Sequence, residues 1–160
     1  MKSKQAAIGL GSNLGDSLTI LKTALDILNN TPGIVINSIS SWYQTVPIGP
    51  PQPNYINGCV LLEVQQTPQE LLEILLGIET QLGRVRQERW GARTLDLDIL
   101  LIDDLILNTS NLVIPHPAMT ERCFVLVPLA EIAPHWIHPV MGKSISSLIN
   151  TINISGVSPI

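Results

Sequence analysis

Four of the chain's five arginines, Arg84, Arg86, Arg89 and Arg93, fall within ten residues, and the run leads straight into Asp96-Leu97-Asp98. Cations beside a carboxylate pair spaced by two are the parts needed to hold a polyphosphate with magnesium. After Thr94 the sequence alternates, with Leu95, Leu97 and Ile99 on one side and Asp96 and Asp98 on the other, the period of a half-buried strand. Side chains two apart on a strand share a face, so both carboxylates can reach one site. Mg²⁺ takes oxygen ligands, keeps several waters and fills its shell with substrate phosphates, so few protein ligands suffice. Arginine supplies forked donors to phosphate oxygens. Each half alone has an ordinary reading: Asp-x-Asp also suits a solvated strand face, and an arginine run a solvated or nucleic-acid-facing loop.

The charge balance argues against nucleic acid. The formal net charge is −4, and the lysines (Lys2, Lys4, Lys22, Lys143) are scattered rather than gathered into a stripe. With 160 residues, 45% apolar and 14% charged, one domain with one substantial core is expected, its ordered part running from about residue 5 to 150 and a loose tail over 151–160. No apolar run approaches the roughly 18 residues of a membrane span. The opening Met-Lys-Ser-Lys-Gln has no signal-peptide character. Cys59 and Cys123 are isolated in apolar surroundings and are expected as buried free thiols. A cytoplasmic monomer acting on small molecules is the expectation.

These residues need elements to position them. A first strand is expected over 5–10, then Gly11-Ser-Asn-Leu-Gly15 and a helix with Leu18, Leu21, Leu25 and Leu28 on one stripe and Asp16 as its N-cap. Strands follow over 34–43 and 55–64, separated by a loop rich in proline and glycine. Thr67-Pro68-Gln69-Glu70 is a capping box with proline in the first turn, opening a helix with Leu71, Leu75, Ile78 and Leu82 on one stripe and Gly83 as its stop. The acidic strand comes next. A short strand over 105–107, a turn at 115–119 and helices over 121–129 and 144–152 complete the reading. The order β-α-β-β-α-β up to residue 102 is that of a ferredoxin-like α+β fold, a sheet with helices packed on it.

Three other motifs lead elsewhere. Gly9-Leu-Gly11-Ser-Asn-Leu-Gly15 is one residue longer than the dinucleotide fingerprint and is expected as a tight strand-to-helix connection. Gly142-Lys143-Ser144 lacks the first glycine of a P-loop. His135-Trp136-Ile137-His138, between Pro134 and Pro139, is expected as a surface turn.

With these residues assembled, the chain resembles the 6-hydroxymethyl-7,8-dihydropterin pyrophosphokinases, which move a pyrophosphoryl group from ATP to a pterin in folate biosynthesis. The resemblance runs from Ala6 to Ile149. It is carried by Gly11-Ser-Asn-Leu-Gly15, Tyr43-Gln-Thr-Val-Pro-Ile-Gly-Pro50, Tyr55-Ile-Asn57, Gly83-Arg-Val-Arg86, Arg89-Trp-Gly-Ala-Arg-Thr-Leu-Asp-Leu-Asp98, Pro115-His-Pro117 and Arg122-Cys-Phe124. The string from Arg89 to Asp98 is the most specific part.

The resemblance implies that Asp96 and Asp98 bind two magnesium ions bridging the triphosphate, with ATP as co-substrate. It implies charge-neutralising roles for Arg84 and Arg93, and loop contacts to ATP from Arg86, Arg89 and Trp90. Further nucleotide contacts are implied at Ile99, His116 and Arg122. For the pterin it implies stacking on Tyr55 and Phe124, an in-plane amide at Asn57, and a wall of Thr45, Val46 and Ile48. Two positions depart from the family's habit: Ala92 stands where many relatives have proline, and Leu76 where some carry a polar nucleotide contact. Two other classes stay open from the residues alone: a magnesium-dependent nucleotidyltransferase releasing pyrophosphate, and a non-catalytic ligand-binding module on the same fold.

Overall fold

The computed structural model describes residues 3–13, 16–45, 55–82 and 95–160. Strand β1 (Lys4–Ser12) lies between two antiparallel neighbours, β4 (Tyr55–Val64) and β5 (Leu95–Ile102). The far edge of β4 is shared. Strand β2 (Ile34–Ile39) pairs with its C-terminal part and β3 (Tyr43–Thr45) with its first residues. The expected single strand over 34–43 is therefore broken, and the register gives the reason. Ile39 faces Val60 and Tyr43 faces Asn57, so four steps along one chain match three along the other, and the extra residue is taken up at 40–42.

Helices cover both faces of the sheet, unequally. On one face Ala6, Ile8 and Leu10 of β1, Val60, Leu62 and Val64 of β4, and Leu95, Leu97 and Ile99 of β5 meet α1 (Ser17–Asn29) and α2 (Pro68–Leu82). The helices answer with Leu21, Leu25 and Leu28, and with Leu71, Leu75 and Ile78, of the stripes read from their spacing, joined by Ala24, while Leu18 and Leu82 are only half-buried. Asp16 occupies the N-cap of α1 but makes no side-chain capping bond. The capping box of α2 is complete: Thr67 N–H donates to Glu70 Oε1 at 2.8 Å and Glu70 N–H to Thr67 Oγ1 at 3.1 Å.

Among the described residues, the other face is covered over one end only. There Ala7, Cys59, Leu61, Leu100 and Leu101 pack on α3 (Cys123–Ile132) and α4 (Ile145–Ile149), with Met119 from a 3₁₀ turn, Met119–Glu121. A register shift between Ala7 and Ile8 lets both Leu100 and Leu101 serve this layer. A short hairpin, β6 (Leu107–Asn108) with β7 (Val113–Ile114), lies between β5 and the 3₁₀ turn in the chain. The last residues depart from the expected loose tail. Val157–Pro159 forms β8, pairing with β3, and Ile160 N–H donates to the Trp42 carbonyl at 3.1 Å. The His135–His138 segment is also less superficial than expected: His138 is buried, and its Nδ1 accepts from Val140 and Met141 N–H, organising the turn from within. Cys59 and Cys123 are both free; Cys59 is buried and Cys123 half-buried.

Candidate functional site

Beyond α3 and α4, the end of the sheet forms the floor of a cavity of about 440 Å³. Its floor is built by register. Gly11 of β1 lies between Asn57 of β4 and Asp96 of β5, and Gly9 between Cys59 and Asp98. Neither glycine has a positive φ, so backbone freedom does not explain them. Space does: a Cβ on Gly11 would lie 2.8 Å from Asn57 Oδ1 and 3.4 Å from the Tyr55 ring. The expectation that Gly11 begins the connecting turn is thus corrected, while Gly9 lies in the strand expected over 5–10. Both belong to the strand, and both line the cavity.

The walls come from three directions. Tyr55, Asn57 and Thr45 rise from β4 and β3, Asp96, Asp98 and Leu100 from β5, and Arg122, Phe124 and Val125 from the start of α3. Asn57 is buried, and its Nδ2 donates to Thr45 Oγ1 at 3.4 Å. Tyr55 Oη donates to Asp96 Oδ2 at 3.1 Å, joining the apolar half of the cavity to the acidic half. The Arg122 guanidinium lies 5.6 Å from the centre of the Phe124 ring, over its face.

The acidic half is electrostatically poised. Asp98 is held above the usual carboxylate range, first because flanking protein desolvates it and further because Asp96 repels it; His116 and Arg122 oppose the rise. His116 is pushed below the ordinary imidazole value, chiefly by burial and also by Arg122, against the pull of Asp98. Its Nδ1 accepts from Ala118 N–H at 3.2 Å, so the neutral ring carries its proton on Nε2 as a donor. Two carboxylates on one face with no third acidic, histidine or cysteine ligand are what the described residues offer a metal. That donor set fits a hard cation whose remaining ligands are water and phosphate.

The family model for 7,8-dihydro-6-hydroxymethylpterin-pyrophosphokinase (HPPK) matches residues 7–134. The chain belongs to this family. It is 50% identical to a 2-amino-4-hydroxy-6-hydroxymethyldihydropteridine pyrophosphokinase of Synechocystis over 97% of its own length and 80% of the relative's. With that of Bacillus subtilis the identity is 46%, over 79% of this chain and 77% of the other. Among solved structures, wild-type Plasmodium falciparum HPPK-DHPS superposes with a TM-score of 0.80 at 17% identity, over 99% of this chain and 48% of that one. The chain thus spans about half the length of that solved protein, and the likeness speaks for the fold. Membership makes this chain an ATP-dependent pyrophosphokinase, transferring pyrophosphate to hydroxymethyldihydropterin in folate biosynthesis.

Against this background the placement of each expected residue can be stated. Thr45, Tyr55, Asn57, Asp96, Asp98, Arg122 and Phe124 line the one cavity. His116 does not line it but acts on Asp98 electrostatically, and its N–H is tied to the Leu100 carbonyl at 3.0 Å. Ile99 is different: its side chain is buried in the core against α1 and α2, so any contact of this residue with nucleotide falls to its main chain. Val46, Ile48, Arg84, Arg86, Arg89, Trp90 and Arg93 lie outside the described residues.

Sequence reasoning missed a buried polar residue of the pyrophosphokinase. Glu79, on the last turns of α2, is buried, and its Oε2 accepts from Leu97 N–H at 2.7 Å, between the two aspartates. Its signal was present, since Glu79 lies four residues after Leu75 and eight after Leu71 and so falls on the buried stripe itself.

Proposed function

We propose that the acidic half of the cavity holds the magnesium–triphosphate of ATP and the aromatic half holds the pterin. The observation that carries this reading is the convergence of Asp96, Asp98, Asn57, Tyr55 and Phe124, drawn from three elements, on one cavity. Asp96 and Asp98 would hold two magnesium ions. The ions, once bound, supply positive charge across the phosphates and orient the attacking and leaving oxygens. The residues of the chain do the rest. Tyr55 fixes the rotamer of Asp96 through its hydroxyl, and the Nε2–H of neutral His116 and the Arg122 guanidinium present donors beside Asp98. Arg84 and Arg93 would meet the charge developing as AMP leaves, and Arg86, Arg89 and Trp90 would close over the nucleotide.

The pterin is a flat ring with amide-like edges, and it wants aromatic faces and in-plane donors and acceptors. Tyr55 and Phe124 offer the faces and Asn57 the edge, with Thr45, Val46 and Ile48 as wall. The hydroxymethyl oxygen then attacks the β-phosphorus, in line with departing AMP. The fold reading is a ferredoxin-like βαββαβ core. It is supported by the strand order β5-β1-β4 with β2 and β3 together on the far side of β4. One pyrophosphokinase domain over residues 1–160, acting as a cytoplasmic monomer on small molecules alone, completes the proposal; no helix among the described residues is long and apolar enough to cross a membrane.

Incubation with ATP, Mg²⁺ and 6-hydroxymethyl-7,8-dihydropterin tests the reading. AMP and the pterin diphosphate are expected in equal amounts, only when the metal is present. Release of pyrophosphate with an adenylylated pterin would replace the reading with nucleotidyl transfer.

A further inference from the structure

We propose that Glu131 is a positioning residue for pterin binding: it ties strand β3 to helix α3 and so sets the gap between Thr45 and Asn57 on the sheet and Phe124 on the helix. The inference rests on the pterin reading above. Glu131 sits in the last turn of α3 and Phe124 in its first, seven residues and about 10 Å apart along one helix, with Pro128 between them. The Glu131 carboxylate reaches from the helix to a single short segment of the sheet. Ser41 N–H donates to both of its oxygens at 3.0 Å, Ser41 Oγ to Oε2 at 2.9 Å, and Tyr43 Oη to Oε1 at 2.7 Å.

In that segment the regular pairing with β4 is interrupted. β2 has ended at Ile39, β3 has three residues, and the one-residue slip in register falls between them. Its residues alternate in what they grip. Ser40 Oγ accepts from Cys59 N–H at 2.9 Å, and the Trp42 ring covers Gly58 so closely that a Cβ there would lie 2.6 Å away, so these two fasten the link to β4. Ser41 and Tyr43 fasten it to α3 through Glu131.

The consequence reaches the cavity by register. Tyr43 faces Asn57, Thr45 faces Tyr55, and Asn57 Nδ2 bonds to Thr45 Oγ1, so a shift of β3 displaces the side chains that the pterin edge would meet. Bonds to an ionised carboxylate are roughly twice as strong as neutral ones, which suits an anchor that must hold a three-residue strand. The charges agree with the geometry. Desolvation would raise the Glu131 carboxyl, but the bonds from Tyr43 and Ser41 outweigh it and hold the group below the usual range; burial and Glu131 together push the Tyr43 hydroxyl up to about 12.

The test is steady-state kinetics on Glu131→Gln, which keeps the shape but exchanges one acceptor oxygen for a donor. The expected result is a rise of about fivefold in KM for the pterin, with kcat and KM for ATP changed by less than about twofold. Adding Tyr43→Phe should change little more, because the two residues share one interaction. Asn57→Ala is measured alongside. If Asn57→Ala raises the pterin KM and folded Glu131→Gln does not, the positioning role is wrong and the pterin reading stands. If neither does, the pterin has been placed wrongly and the inference falls with it. A parallel rise in both KM values would also overturn it, as the mark of general loosening. Should Glu131→Gln not fold, Tyr43→Phe alone, which leaves the Ser41 bonds, must show the same selective rise of about twofold.

Discussion

The two faces of the central sheet are made by the same three long strands, yet among the described residues one is sealed and the other half open. On the sealed face Ala6, Ile8 and Leu10, Val60, Leu62 and Val64, and Leu95, Leu97 and Ile99 are buried against two amphipathic helices. On the other, the alternate residues of the same strands change character partway along. Ala7, Leu61 and Leu101 pack beneath α3 and α4, whereas Gly9, Gly11, Tyr55, Asn57, Asp96 and Asp98 floor and wall a cavity. Because the side-chain period of a strand is two, each β-strand supplies core to one side and chemistry to the other without compromise between them. The sealed face therefore fixes the separation of the groups that stand on the sheet, while α3 on the other face sets how far Phe124 stands from them.

That division can be broken from either side. The largest effect is expected on the sealed face. Leu75 is fully buried between α2 and the sheet, and Leu75→Ala should cost about 3–5 kcal/mol of stability through lost transfer energy and the cavity left behind. Both KM values should stay near those of the parent at a temperature where the variant is folded. Urea denaturation with kinetics on the same samples checks this; a rise in pterin KM without loss of stability would show that the faces are not independent.

On the open face the sign reverses. Asp96→Asn or Asp98→Asn should lower turnover about 10²- to 10³-fold, some 2.7–4 kcal/mol of transition-state stabilisation, because the amide keeps the shape and loses the charge. Stability should not fall. Asp98 is held above the usual carboxylate range by desolvation and by Asp96, so folding gains nothing from its charge, and removing it should leave the melting temperature unchanged or raised. A collapse of stability in either variant would show that these carboxylates hold the fold together rather than a metal.

The two faces were also unequally legible in the sequence. The sealed face announces itself through period: Leu21, Leu25 and Leu28, Leu71, Leu75 and Ile78, and the alternation from Leu95 to Ile99 are what simple burial requires, and all are buried. Asp96 and Asp98 are legible by the same alternation. Thr45, Asn57 and Phe124 are not, because nothing local distinguishes a cavity wall from a core residue; only their resemblance to a known family singled them out. Gly11 was misread for a related reason. A glycine that keeps space open across strands owes its place to Asn57, 46 residues further on, and the neighbours in sequence carry no trace of that. β8 escaped notice because a three-residue edge strand has too little period to register, and its partner β3 is as short. Glu131 sits on a helix whose apolar residues spread around it, so its one useful direction is set by α3 packing and not by pattern.

The smallest predicted effect is also the sharpest comparison, since it sets two glycines of one strand against each other. Gly11 and Gly9 lie two apart on β1, on the same face, each with an aspartate of β5 beside it. Their surroundings differ. A methyl on Gly9 would meet Leu100 carbons at 3.5 Å, an ordinary contact, whereas one on Gly11 would meet Asn57 Oδ1 at 2.8 Å. Asn57 is buried and bonded to Thr45, so it can yield only by turning its amide out of the plane that the pterin edge requires. Overpacking of this kind costs about 1–3 kcal/mol, and replacing a strand glycine returns roughly 0.5–1 kcal/mol of backbone entropy. Gly11→Ala should therefore lose on the order of 1 kcal/mol of stability and weaken pterin binding by about tenfold, while ATP binding changes little. Gly9→Ala should be neutral or slightly stabilising and bind the pterin normally. Titration calorimetry of both variants with the pterin, and with a non-hydrolysable ATP analogue and Mg²⁺, separates the cases. Equal pterin affinities in the two would mean that Asn57 does not meet the substrate edge, and that the open face reads its ligand elsewhere in the cavity.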